Sequence, residues 1–437
     1  MADMRKTFLK QHFEQNDHVR ITEKIAKHVK MATSPFLFFR GSAPLFYCDF
    51  KSELLTLPKA LKSIPLTTVM GDCHTSNFGF LTEEGSHGDN VIFSPNDFDD
   101  ACVGYSYWDL TRFITSLFLT AEHCQSVIKS TNIEHQKWFG KKVISTDDVI
   151  IAASAFINSY LSTCQLNINE PESRSSAVEQ FDDTDILYKR YLKAQQRAAS
   201  NECFYSHSTL AKAVDMENMI KFSDIPDRHL RLSDHDYQEI KATFLPYVDD
   251  SILDIIERKN AGTGSVNMAR YYLLIGPENA KKEQLHLCHI VEIKKQRQAA
   301  LLTSFDDLFA TNTLNPAHLT VKCQQRMQRN PDLILDEVLW RDAHWLVRSR
   351  HHAKVGIKPE HIGIGKKAVN GGFTSYAKSC GAALALAHCR GDRRSTAFEQ
   401  LSIEILPEHS EEIINACQKY TQQVKQDCLA LAELLNS

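Results

Sequence analysis

Asp72, Asn77 and Asp97 have the types and spacing to do chemistry together. The first two stand in GDCHTSN, and the third opens DFDDA. A carboxylate, a carboxamide and a second carboxylate supply a base and oxygen ligands. Mg²⁺ selects such hard ligands, and it commonly reaches phosphates through one or two carboxylates. His74 joins Asp72 in the catalytic set, as a brace of the loop by hydrogen bonding or as a base. Asp99 joins the metal set, as a further ligand or as a solvated turn residue.

These side chains need elements to position them. Leu66 to Met70 is an apolar run leading into Gly71-Asp72, as a buried strand leads into a functional loop. Val91-Ile92-Phe93 is a second strand-like run, and TEEGSHGDN between them has the composition of a hairpin turn. Closing that hairpin brings Asp72, Asn77 and Asp97 to one end of two neighbouring strands. The order D-x-x-x-x-N, strand, D-F is a phosphotransferase pattern. Its first Asp takes the proton of the attacking hydroxyl, while the Asn and the later Asp hold the metal. Trp108-Asp109-Leu110 opens an amphipathic helix through Ala121, with Asp109 as a loop-bracing carboxylate.

A second informative stretch runs from Asn260 to Gln296. Gly262, Gly264 and Ser265 form a glycine turn before a strand, Arg270 to Ile275. A further strand, Leu285 to Ile293, ends at Lys294. Glycine turns let backbone N–H groups approach a phosphate, and a lysine on a neighbouring strand neutralises it. Both features are therefore read as nucleotide contacts. Arg40, in SPFLFFRGSA, is either a partly buried arginine paired with a carboxylate or an anion-binding residue facing the cleft.

The whole chain sets bounds. It has 437 residues, 43% hydrophobic and 24% charged, which is ordinary for a soluble globular protein. A net charge of −4 with pI near 6.5 argues against a nucleic-acid binder. No apolar run approaches the roughly 18 residues that cross a bilayer, and the start is too polar for a secretory signal. Twelve cysteines without a CxxC pair fit a reduced, cytoplasmic protein with no membrane partner.

Periodicity predicts helices over 1–32, 147–164, 175–200, 298–328, 373–390 and 408–435, with a strand over 339–348. No strands are expected from 123 to 250. The chain divides into an N-terminal helical segment with the FFRG motif (1–66), a catalytic-loop and metal-binding core (67–122) and a helical region read as a cap (123–250). A β-rich nucleotide-binding lobe (251–350) and a C-terminal helical region (351–437) follow.

The pieces SPFLFFRGSA, GDCHTSNFG, NDFDDACVGYSYWDL, GTGSV and CGAALALAHCRGD resemble the bacterial domain-of-unknown-function 2252 family over roughly residues 34–392. Their central motifs are similar to those of aminoglycoside and choline phosphotransferases in the protein-kinase-like superfamily. The resemblance implies an α+β, bilobal, protein-kinase-like fold with a helical insertion. It implies a Mg²⁺- and ATP-dependent (or other nucleotide-dependent) phosphotransferase acting on a small molecule or a protein. Asp72 then resembles the catalytic Asp, Asn77 and Asp97 the metal ligands, and Asp109 the loop-bracing Asp. The glycine turn and Lys294 follow the catalytic loop instead of preceding it, so the order implies circular permutation. Glu292 stands where kinases favour a small residue against adenine, on one strand face with Lys294. The usual glutamate partner of that lysine is missing, and Asp306 or Asp307 is its substitute.

Other readings of the same residues are transfer of a nucleotidyl group, a catalytically weak pseudoenzyme that binds nucleotide or a partner, and a metallophosphoesterase built on Gly71-Asp72-Cys73-His74. The last class needs an Asn-His element, which the chain lacks. The acceptor and the oligomeric state have no sequence signal.

Overall fold

In the computed structural model, which describes residues 2–83, 88–217, 219–259, 268–392 and 395–436, four short strands carry the motif-bearing stretch. β1 (Thr67–Val69) pairs antiparallel with β4 (Cys102–Gly104). β2 (Phe78–Thr82) and β3 (Val91–Pro95) form a hairpin in register from Phe78↔Pro95 to Thr82↔Val91. Every residue of β2 is buried, so its two faces pack on protein rather than alternating toward solvent.

Helices pack around these strands. Pro35 starts α1 (Pro35–Gly41). Ser34 is its N-cap, accepting from Leu37 N at 3.4 Å, and a proline at N1 forfeits no helical hydrogen bond. α2 (Ser106–Lys129) is buried all round from Ser106 to Ala121, not amphipathic as expected. Its Asp109, Thr111, Arg112, Thr115, Ser116 and Thr120 are therefore core polar residues that need partners inside the protein.

α3 (Thr146–Asn169) starts at a capping box of Ser145 and Asp148. It is long and apolar enough to pass a length-and-composition test for a membrane span. Its buried face, which includes Ala153, Phe156, Tyr160 and Cys164, belongs to the largest hydrophobic core. α4 (Tyr188–Gln195) is only eight residues long, shorter than the helix expected over 175–200. Val178, upstream of it, forms a β-bridge to Phe93 instead.

The region expected to lack strands contains three short ones. β5 (Val214–Asp215) pairs with β6 (Lys221–Phe222), and β7 (His229–Leu230) joins the edge of the large sheet. That sheet adds β8 (Ser251–Arg258), β9 (Arg270–Gly276), β10 (His289–Lys295), β11 (Leu335–Trp340) and β12 (Ala343–Ser349). It is antiparallel and six-stranded, in the order β11-β12-β10-β9-β8-β7. The β11–β12 hairpin turns on Arg341 and Asp342, with φ of 48° and 52°, the left-handed pair that a two-residue hairpin turn requires.

Residues alternate across the sheet. Leu273, Val291, Ile293 and Val347 pack with Ile240 and Phe244 on one face. The opposite face carries Arg270, Glu292, Lys294 and Arg348 in paired register, Glu292↔Arg348 and Lys294↔Arg270. This charged face turns toward the β1–β4 core.

The span 298–328 is not one helix. Short 3₁₀ turns at Ala300–Thr303 and Ala310–Thr313 precede α5 (Pro316–Met327), which is capped by Asn315 accepting from His318 N at 2.9 Å. β13 (Val355–Gly356) then adds to β2. α6 (Phe373–Gly391) packs along α3, and α7 (Ala397–Asn436) continues through Pro407 to close the chain.

Candidate active site

The loop between β1 and β2 is built from its backbone upward. Asp109, fully buried in the first turn of α2, accepts from Met70 N at 2.6 Å and Gly71 N at 3.2 Å. Its Oδ2 also lies 3.1 Å from His388 Nε2, at the end of α6, and Tyr160 Oη is 2.9 Å from His388 Nδ1. Tyr47 Oη donates to Gly71 O at 2.7 Å. Gly71 has φ of 74°, and a Cβ there would lie 2.0 Å from Asp100 O, so backbone crowding and conformation both call for glycine.

Asp72 follows this braced turn. Arg112, fully buried on α2, donates to Asp72 Oδ1 from Nε at 2.8 Å and from Nη2 at 2.5 Å. The same Nη2 donates to Phe39 O, and the guanidinium lies 4.2 Å from the Phe39 ring centroid. One carboxylate oxygen of Asp72 is thus anchored. The other, Oδ2, lies 3.8 Å from His74 Nε2. His74 is buried, and its Nδ1 accepts from Ser76 N at 3.2 Å. Burial, then the charges of Arg40 and Arg112, hold this imidazole well below its ordinary range, so it is neutral. That is the geometry of a loop brace.

Asn77 closes the loop by donating from Nδ2 to Asp72 O at 2.9 Å, and its backbone O accepts from Asn96 N at 3.0 Å. This last bond extends the β2–β3 ladder by one rung and delivers Asp97 beside the Asn77 end of the hairpin. Asp97 lines the cleft; burial and the adjacent Asp99 charge push its carboxyl above the usual range. Its carboxylate and Asn77 Oδ1 are hard oxygen donors of the kind that Mg²⁺ takes, so the residues fit that ion.

Asp99 takes a different part from the metal role expected of it. Lys294 Nζ donates to Asp99 Oδ2, and Arg348 Nη1 lies 3.0 Å from Oδ1. Burial opposes the Asp99 charge, but Lys294 and Arg348 outweigh it and hold the carboxyl far below its usual range. Asp99, not Asp306 or Asp307, is the partner of Lys294; the latter two are exposed. Gln296 Nε2 fixes the same segment through Asp99 O at 2.7 Å. Asp100 accepts from Ala300 N at 2.7 Å and from Arg297 Nη2 at 2.8 Å.

Glu292 does not pair with Lys294. It accepts from Arg270 Nη1 at 2.9 Å and from Arg348 Nε at 3.0 Å. Burial resists its charge, but these arginines bring its pKa down to about 2. Arg40 has a buried Nε without a hydrogen-bond partner. Burial pulls its guanidinium down from its ordinary range, while the charges of Asp72 and Asp97 oppose that, so Arg40 faces the same carboxylates. Gly262, Gly264 and Ser265 lie outside the described residues.

A family model matches residues 20–434; its description is an uncharacterized protein conserved in bacteria (DUF2252). The chain belongs to the DUF2252 family. No curated protein and no solved structure matches it.

In this DUF2252 protein the sequence motifs bring Asp72, His74, Asn77, Asp97 and Asp99 to one site, with Lys294 reaching it from the large sheet. Arg112, His388 and Arg348 are the residues that motif reading missed. A signal existed for the first: Arg112 is a lone cation in an otherwise apolar run, WDLTRFITSLFL, where burial demands a partner. No local signal marks Arg348, because its role comes from strand pairing with β10.

Proposed function

We propose that this protein is a Mg²⁺- and nucleotide-dependent phosphotransferase of circularly permuted, protein-kinase-like architecture, acting on a hydroxyl-bearing small molecule or protein. The observation that carries this reading is the ion pair between Lys294 and Asp99. It joins β10, the second strand after the glycine segment, to the DFDD segment, which is the pairing of halves that phosphoryl transfer needs. A second observation supports the permutation. α6 ends against the start of β1, where Thr67 Oγ1 donates to His388 O at 2.6 Å and a Cβ on Gly391 would lie 2.5 Å from Thr67 Oγ1. This contact supports reading α6 as the counterpart of the helix that leads into a kinase catalytic loop, displaced in chain order. Arg5 bonds Asp427 at 2.6 Å, so the two terminal helical segments pack side by side, as permutation requires.

The chemistry follows from the geometry. Arg112 fixes Asp72 so that its free oxygen can orient an acceptor hydroxyl and take its proton as the hydroxyl attacks the terminal phosphorus, while the P–O bond to the nucleoside diphosphate breaks and that group leaves. Asn77 and Asp97 would hold Mg²⁺, which neutralises phosphate charge when bound. Lys294 exchanges Asp99 for phosphate oxygens, and Arg40 adds charge from the acceptor side. His74 Nδ1 accepts from Ser76 N, so Nε2 of the neutral ring carries the proton and offers no lone pair to the metal of a metallophosphoesterase.

Asp97→Asn tests the metal role. Mg²⁺-dependent nucleotide affinity is expected to fall at least about tenfold, the lower end of what a lost metal-site partner costs. Titration of nucleotide with Mg²⁺ and with EDTA checks it, and unchanged affinity of the variant would sink the proposal. Lys294→Ala is expected to lower affinity and rate together, since the ammonium contacts phosphate in ground and transition states alike. It also removes one of the two cations that Asp99 faces, a loss on the order of 1–3 kcal/mol of stability, since Arg348 stays 3.0 Å from Asp99 Oδ1. Adding Asp99→Asn should restore the melting temperature without restoring the rate; recovery of both would make Lys294 merely structural.

A further inference from the structure

The cleft beneath the charged sheet face has a volume of about 220 Å³. Among its lining residues only Leu81 and Phe98 carry large apolar side chains, whereas small-molecule pockets are lined mainly by such groups. Glu292 stands where the kinase resemblance expects a small residue against a nucleobase, and it is tied to Arg270 and Arg348. A flat heteroaromatic ring placed there would strip these ions of solvent without replacing their bonds.

Two cations in the same cleft are differently bound. Arg350 Nη1 donates to Tyr272 Oη at 2.7 Å, with its guanidinium 5.1 Å from that ring centroid. Lys354 Nζ donates to Asn96 O at 3.2 Å. Both rest on neutral oxygens, and neither has a carboxylate within ion-pair distance among the described residues. Gln324 Oε1, also lining the cleft, is buried without a hydrogen-bond partner. The cleft therefore offers two cations to an anion and a polar atom to a hydroxyl or N–H group of the same ligand.

We propose that Arg350 and Lys354 form a phosphate subsite inside this cleft, at the depth where a kinase-like site would take a nucleobase. The depth assignment rests on the phosphotransferase reading; the anion chemistry does not. A phosphate group accepts from guanidinium and ammonium in charge-assisted hydrogen bonds, which are stronger than those to Tyr272 and Asn96. The phosphate belongs either to the nucleotide chain or to a phosphorylated acceptor carrying hydroxyl groups.

The test is calorimetric titration of the full chain with tripolyphosphate, ATP with Mg²⁺, and adenosine. The same titrations are run on Arg350→Gln and Lys354→Gln. Tripolyphosphate is expected to bind the wild type, and each variant to bind it at least about tenfold more weakly, the loss of one charge-assisted hydrogen bond. Adenosine is expected not to bind saturably. Displacement of ATP by tripolyphosphate assigns the subsite to the donor chain; binding of both together assigns it to the acceptor phosphate. Saturable adenosine binding that competes with ATP, or variants that bind tripolyphosphate as the wild type does, overturns the subsite. Tripolyphosphate binding without any Mg²⁺-dependent ATP binding would keep the subsite and remove the phosphotransferase reading. ATP binding without tripolyphosphate binding would do the reverse. Lys354 makes a single hydrogen bond to a backbone oxygen, so its variant reports on binding even if Arg350→Gln folds poorly.

Discussion

Asp72→Asn is expected to lower nucleotide consumption by about 10²- to 10⁴-fold, the usual loss on removing one general base. Nucleotide affinity should change little, because the role proposed for Asp72 is contact with the acceptor hydroxyl and not with the donor phosphates. The amide oxygen can still accept from Arg112 Nε, now 2.8 Å from Asp72 Oδ1, so the loop keeps its anchor. The substitution removes charge from beside a buried guanidinium, however, and some stability goes with it. Melting curves of the variant therefore accompany the rate measurement, which is made well below the melting temperature. Equal, detectable consumption by wild type and variant would remove Asp72 from the mechanism. Nucleotide binding without consumption by either protein would instead favour a pseudoenzyme that keeps the cleft but not the reaction.

The second large effect is on stability. Asp109→Ala should destabilise the fold by about 3–5 kcal/mol, the sum expected when several buried partners lose one acceptor. Met70 N and Gly71 N would both lose their acceptor, and His388 would keep only its Tyr160 contact on the side chain. Water cannot readily replace the carboxylate, since Asp109 is fully buried. The loop that carries Asp72 would lose its brace at the same time, so activity should fall even at temperatures where the variant is folded. A urea midpoint close to that of the wild type would show that the turn is held by Tyr47 and Gly71 alone.

These two residues differ in how they could be read. Asp72 sits in a local pattern, GD-x-H-x-x-N after an apolar run that forms β1, and the turn composition before Val91 marks a hairpin, although the strand that pairs with β3 is β2, and β1 pairs with β4 instead. The same holds for β10 with Lys294 at its end and for α6 as a small-residue helix. Short-range signals suffice there because strand alternation and helical period act between near neighbours. They failed where an element's partners lie far off in sequence. The span 175–187 has helical spacing, but Val178 is taken up by β3.

The site divides along the same line. Residue types and local spacing determined that Asp72 and Asn77 lie on a loop after a strand, that Asp97 follows a second strand, and that Lys294 lies near the end of another. Tertiary structure alone decided that Lys294 meets Asp99, 195 residues away, and that Arg112 anchors Asp72 across 40 residues. It alone decided that Glu292 is held by Arg270 and Arg348, which makes the cleft ionic. The physical reason is that a buried charge must find its counter-charge somewhere in the fold. That demand is legible from a single buried residue, whereas the identity of the partner depends on sheet register and helix packing, which no local window contains.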